Sequence, residues 1–246
     1  MNASEASRYR DDISQFVVHL TRDDRKDFSP GGATARKNFL RILKERHIGA
    51  FSAHCIFNPL LGKTPSEVQE QFRVACFTET PLNQLHLLAR GIPGRSVILE
   101  PYGFCFRKSF LVEAGAQQAV YINSYGGNGW LKESVMALYK RCVTAGELEE
   151  PEWRILPFLN AMHEKYDFSW EREWRVRGGL KFKISDLVCV ILPSEGEEDL
   201  KSAFAEAGIA AISPGWRYED IVGELAKQQR ATKAASKALK SIEAKA

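Results

Sequence analysis

Residues 170–192 read WEREWRVRGGLKFKISDLVCVIL, and the class of fold follows from how that run is parsed. EWRVR, Glu173–Arg177, alternates in the manner of a strand, and Gly178-Gly179 turns the chain into a second strand over LKFKISDLVCVIL. An acidic helix in EEDLKSAFAEAG, a strand in IAAI and a closing helix complete the most regular part of the sequence.

Working back from there, FVVHL (Phe16–Leu20) reads as a strand and TRDDRKDFSPGG as a polar loop. ARKNFLRILKER carries Phe39, Leu40, Ile42 and Leu43 near helical spacing, which predicts an amphipathic helix from about Ala33 to Arg46. FRVACFT, Phe72–Thr78, reads as a strand, with Thr80 as N-cap and Pro81 opening the helix PLNQLHLLAR. SVILE, GFCF and AVYI are further short strands, KSFLVEA is a short helix and NSYGGNGW is a loop. Two helices are expected between Leu131 and Tyr166. These signals predict an α+β fold in one domain, residues 1–223. A basic, Ala/Lys-rich helical tail, 224–246, follows.

Composition limits the function. The chain of 246 residues is 44% hydrophobic and 26% charged, ordinary values for a globular protein. Its net charge of +3 sits in the tail, so the main domain is nearly neutral and its charge alone does not argue for nucleic-acid binding. The opening MNASEASRYRDD has no apolar core, and the apolar runs are strand-sized. A cytoplasmic protein without a membrane partner is therefore expected. Cys55, Cys76, Cys105, Cys142 and Cys189 lie far apart with no CxxC, which predicts buried thiols and no metal. No GxGxxG, Walker loop, GxSxG or HExxH is present.

Four segments offer chemistry. In WEREWRVR, strand alternation places Glu171, Glu173, Arg175 and Arg177 on one face, with Trp170 and Trp174 on the other. Paired carboxylates suit a cleft that meets developing positive charge, although a solvated charged face with core tryptophans also explains them. In FVVHLT, His19 and Thr21 leave a buried strand on one face. In PYGFCFR, Tyr102, Phe104 and Phe106 with Arg107 would stack a base and hold a phosphate, or simply fill the core. In CFTETPL, capping accounts for Thr80 but not for Thr78 or Glu79.

Taken together, these segments resemble two families. CFTETPL, YGFCFRKSF, AVYIN and EREWRV resemble AbiGi-like abortive-infection proteins over most of residues 14–216. FVVHLTRDD with ARKNFLRILKERHIGA is similar to the opening of DarT-type ADP-ribosyltransferase toxins, and EREWRV to their late strand that begins with a catalytic glutamate. The E-x-E spacing also resembles the paired glutamates of arginine-modifying transferases, whose Ser-Thr-Ser strand is missing here.

The resemblance implies a split mixed β-sheet with flanking helices and an ADP-ribosyltransferase-like cleft that holds NAD as co-substrate. His19 and Thr21 would hold the nicotinamide ribose or amide, Asn38 the nucleotide, and Tyr102, Phe104 or Tyr121 would stack. Glu173, with Glu171 beside it, would be the catalytic carboxylate. Arg73, Arg90, Arg95 and Arg107 are candidates to anchor NAD, Arg107 standing next to the aromatic run. The acceptor would be a nucleic acid (DNA or RNA) in preference to a protein, and an antitoxin is a possible partner. The alternatives are a non-catalytic antitoxin or phage-sensing protein with the same fold, and a metal nuclease built on Asp167, Glu171 and Glu173.

Overall fold

The computed structural model describes residues 13–24, 32–52, 55–90, 97–124, 129–146, 151–162, 167 and 169–227. Arg95, residues 125–128 of the Gly-rich loop and the tail beyond residue 227 lie outside the described residues. In chain order the strands are β1 Phe16–Leu20, β2 His47–Ile48, β3 Phe51–Ser52, β4 Arg73–Thr78, β5 Gly103–Arg107 and β6 Gln117–Gln118. Then come β7 Val120–Asn123, β8 Leu159–Met162, β9 Glu173–Arg177, β10 Leu180–Lys181, β11 Leu187–Ile191 and β12 Ala210–Ile212. The α-helices are α1 Ala35–Glu45, α2 Asn58–Leu61, α3 Ser66–Gln71, α4 Lys108–Glu113, α5 Trp130–Ala145, α6 Glu198–Glu206 and α7 Tyr218–Ala226. The fold is α+β, with mostly antiparallel sheets and flanking helices.

The chain divides into two compact units. The first comprises Met1–His47, Glu79–Phe110 and Lys181–Ala246. Its strands run in the order β12-β11-β5-β1, parallel between β12 and β11 and antiparallel elsewhere. Both faces of β5 are buried, which is why GFCF reads as a continuous apolar run. Cys105 faces a cluster with Val18, Leu20, Leu85, Ile191, Ile212 and Ile221. On the other face Phe104 stacks on Phe39 of α1, ring centroids 4.6 Å apart. Helix α1 starts where expected because the Thr34 side chain accepts from the Lys37 N–H as N-cap.

The second unit comprises Ile48–Thr78 and Leu111–Leu180. It holds an antiparallel ladder β3-β4-β9-β6 and a parallel pair, β7 with β8. Its core is aromatic. Phe57 stacks on Tyr139 of α5 at 4.7 Å, and Phe72 meets Trp153 edge-on at 6.1 Å.

Four expectations are corrected. LKFKISDLVCVIL is two strands, because the Asp186 carboxylate accepts from the Lys183 N–H and closes a 3₁₀ turn at Ile184–Asp186 between them. PLNQLHLLAR is a 3₁₀ helix, Leu82–Leu87, whose cap position is Pro81 and not Thr80. Leu82, Leu85 and Leu88, three apart, are buried along one side, as that geometry requires. Among the described residues between Leu131 and Tyr166 there is one α-helix, α5, ended by Gly146 at φ 70°; 3₁₀ turns at Pro151 and Pro157 then lead into β8. Residues 97–100 form no strand; the Glu100 N–H bonds to the Thr21 carbonyl instead.

Candidate functional site

Strand β9 positions the principal cluster. It pairs with β4 in the register Thr78↔Glu173, Cys76↔Arg175 and Val74↔Arg177, so Glu173 and Arg175 share a face with Cys76 and Thr78. Glu173 is also held through its backbone, whose carbonyl accepts from the Ala119 N–H at 2.8 Å.

Arg175 is the surprise of this face. Its side chain is 0% exposed, and Nη2 donates to Glu173 Oε2 at 2.8 Å. Nη1 donates to the Pro157 carbonyl at 2.6 Å. Burial opposes the charge, but the Glu173 carboxylate outweighs it and holds Arg175 above the ordinary arginine value. The Glu/Arg face is therefore not a solvated one. Glu173 keeps its side chain 15% exposed, so its carboxylate remains at the surface of the cluster.

Glu171 does not extend this face. It ends a 3₁₀ turn, Ser169–Glu171, and Arg172 adopts φ 48°, a left-handed conformation that breaks the alternation before Glu173. The Asp167 carboxylate accepts from Ser169 N–H and Oγ to build that turn. The Glu171 carbonyl accepts from Thr78 Oγ1 at 2.6 Å. Trp170 is exposed on the turn and does not anchor the strand, a further correction; Trp174 is half-buried.

Tyr121 of β7 completes the cluster, paired with Asn160 of β8. Its phenol is pushed well up, by burial first and then by the charges of Glu173 and Glu171. Burial, and then the Glu173 charge, likewise raises the Cys76 thiol, with Arg175 opposing. Phenol and thiol thus each lie within electrostatic reach of the Glu173 carboxylate, whose buried partner is the Arg175 guanidinium.

Arg73 lies in the same unit, paired with Glu70 at 2.7 Å, whereas His19, Thr21, Asn38, Tyr102, Phe104 and Arg107 belong to the other. His19 is half-buried opposite Phe104. Thr21 is buried, and its hydroxyl lies 3.0 Å from the Ala35 carbonyl and 3.1 Å from that of Tyr102. Asn38 spends its amide inside the protein, donating to the Arg22 carbonyl and to Asp24 Oδ1 and accepting from Arg41. Phe104 is a core residue, fully buried against Phe39, and offers no face to a cofactor. Arg107 is exposed at the end of β5.

Tyr102 is held in a triad that the sequence did not announce. Glu197 Oε1 accepts from the Tyr102 hydroxyl at 2.9 Å and from Arg36 Nε at 2.6 Å. Burial, then Glu197, pushes the Tyr102 phenol up to about 12, while the Arg36 hydrogen bond draws Glu197 below its ordinary value. Of the FTET motif, Glu79 is buried and paired with Lys108 at 3.2 Å.

Among the described residues, no three His, Cys, Asp or Glu side chains gather to hold a metal ion, and no helix is long and apolar enough to cross a membrane. No family model matches the chain, and no curated protein or solved structure matches it.

Proposed function

We propose that the protein is an ADP-ribosyltransferase that cleaves NAD and transfers ADP-ribose to a macromolecule, nucleic acid in preference to protein, as a toxin or antiphage effector of the abortive-infection kind. The observation that carries this reading is Glu173: a partly open carboxylate in a mostly buried cluster, fixed by Arg175 and flanked by Tyr121.

The reaction asks little of the protein beyond such a group. The C1′–N bond breaks, its electron pair leaves with nicotinamide, and positive charge grows on the ribose. A fixed carboxylate steadies that charge, accepts from the ribose 2′-hydroxyl and can take the acceptor's proton as the new bond to C1′ forms. The ADP-ribosyltransferase-like cleft implied by the resemblance belongs with this proposal.

The test is nicotinamide release from NAD by the wild type and by Glu173→Asp, which keeps the charge but withdraws it. Turnover is expected to fall by roughly 10²-fold with NAD affinity nearly unchanged. Equal turnover would remove Glu173 from the mechanism.

A second reading, a non-catalytic antitoxin or phage sensor, is favoured by one observation. Thr21, Asn38 and Tyr102 spend their polar groups on internal bonds. It predicts no NAD cleavage by the wild type.

A further inference from the structure

We propose that Arg175 is the positioning residue of this site, locking the Glu173 carboxylate in one orientation and balancing its charge from inside the protein. The proposal rests on the reading of Glu173 given above and adds to it a residue that never meets the substrate.

The geometry is specific. One planar guanidinium makes two bonds in different directions, to Glu173 Oε2 at 2.8 Å and to the Pro157 carbonyl at 2.6 Å. Rotation that improves one bond breaks the other, so the fork admits one pose. Pro157 lies in the turn that feeds β8, the strand that pairs with Tyr121. Arg175 therefore ties the strand carrying Glu173 to the element beside Tyr121.

Burial makes the contact durable. The Arg175 side chain is 0% exposed, so water does not compete for its donors. The groups within reach of Glu173 include Arg175 on its own strand, Cys76 from β4, Tyr121 from β7, Cys55 from the loop before α2 and Glu171 from the preceding turn. Of these, Arg175 alone carries positive charge, and Glu171 opposes it. A point-charge substitute would keep the balance but lose the fork.

The test compares Arg175→Lys with Arg175→Met by nicotinamide release from NAD, with near-ultraviolet circular dichroism to establish that each is folded. Arg175→Lys is expected to lower kcat by about 10–100-fold while KM for NAD stays within about threefold, the signature of a misplaced group rather than a lost binding contact. Arg175→Met, which removes both bonds, is expected to lower kcat at least as far. If Arg175→Met does not fold, the Lys variant alone decides. Wild-type kcat in a folded Arg175→Lys overturns the proposal and leaves the reading of Glu173 standing. A wild type that releases no nicotinamide overturns that reading, and this proposal with it.

Discussion

Replacing Glu173 with glutamine is the obvious way to neutralise the candidate catalytic carboxylate, and the structure predicts that it will also weaken the fold. The carboxylate is the counter-charge to a guanidinium whose side chain is 0% exposed. An arginine does not shed its proton, so Glu173→Gln leaves a buried cation unbalanced. Removing one partner of a buried pair costs roughly 3–5 kcal/mol, whereas replacing both partners with neutral groups is often close to neutral. The amide oxygen can still accept from Arg175, which places Glu173→Gln near the lower end, about 3 kcal/mol. The double variant Glu173→Gln/Arg175→Met is expected to recover most of that loss and to lie within about 1 kcal/mol of wild type. Urea unfolding followed by tryptophan fluorescence measures all the corners of the cycle. A single variant within about 0.5 kcal/mol of wild type, or a double variant that is the least stable of the set, would refute the reasoning. The practical consequence is that loss of activity in Glu173→Gln does not by itself identify a catalytic group, and Glu173→Asp is the cleaner probe.

Other outcomes follow from the first unit. Thr21→Val removes a buried hydroxyl bonded at the start of α1 and should cost about 1 kcal/mol in urea unfolding; no loss would leave Thr21 free for a ligand. Gly103→Ala drives a Cβ into the His19 carbonyl and to within 2.8 Å of Leu20 Cδ2, so a loss of about 1–3 kcal/mol is expected; unchanged stability would contradict the tight β1–β5 contact. Glu197 has a folded pKa below its ordinary 4.5, so its stabilisation is complete above that value and drains as pH falls towards the lower folded value. Glu197→Gln should therefore flatten the fall in stability as the pH drops below the ordinary 4.5, and an unchanged slope would sink the assignment.

Much of this was legible in the sequence where local chemistry decides. Helix α1 announced itself through the spacing of Phe39, Leu40, Ile42 and Leu43, and β9 falls on Glu173–Arg177 as read. What local chemistry does not decide was missed. Alternation placed Glu173 and Arg175 on one face but carries no information about which face is covered, and a charged face is usually wet. Arg172 and Glu197 adopt φ 48° and 60° without the glycine or asparagine that signals such turns, so the break between Glu171 and Glu173 was invisible. Tyr102 meets Glu197 across 95 residues, a pairing that only the folded sheet creates. The leucines of Leu82–Leu88 fit a period of three as well as one of 3.6, which is why an α-helix was expected where a 3₁₀ helix stands.

The central claim is transfer of ADP-ribose from NAD, and it is tested most directly by following the label of NAD carrying ³²P in its adenylate phosphate through a bacterial lysate containing the purified wild-type protein. The account predicts that label enters acid-precipitable material which nuclease treatment renders soluble, and that nicotinamide is released in proportion. NAD that stays intact, with neither nucleic acid nor protein acquiring label, would contradict it.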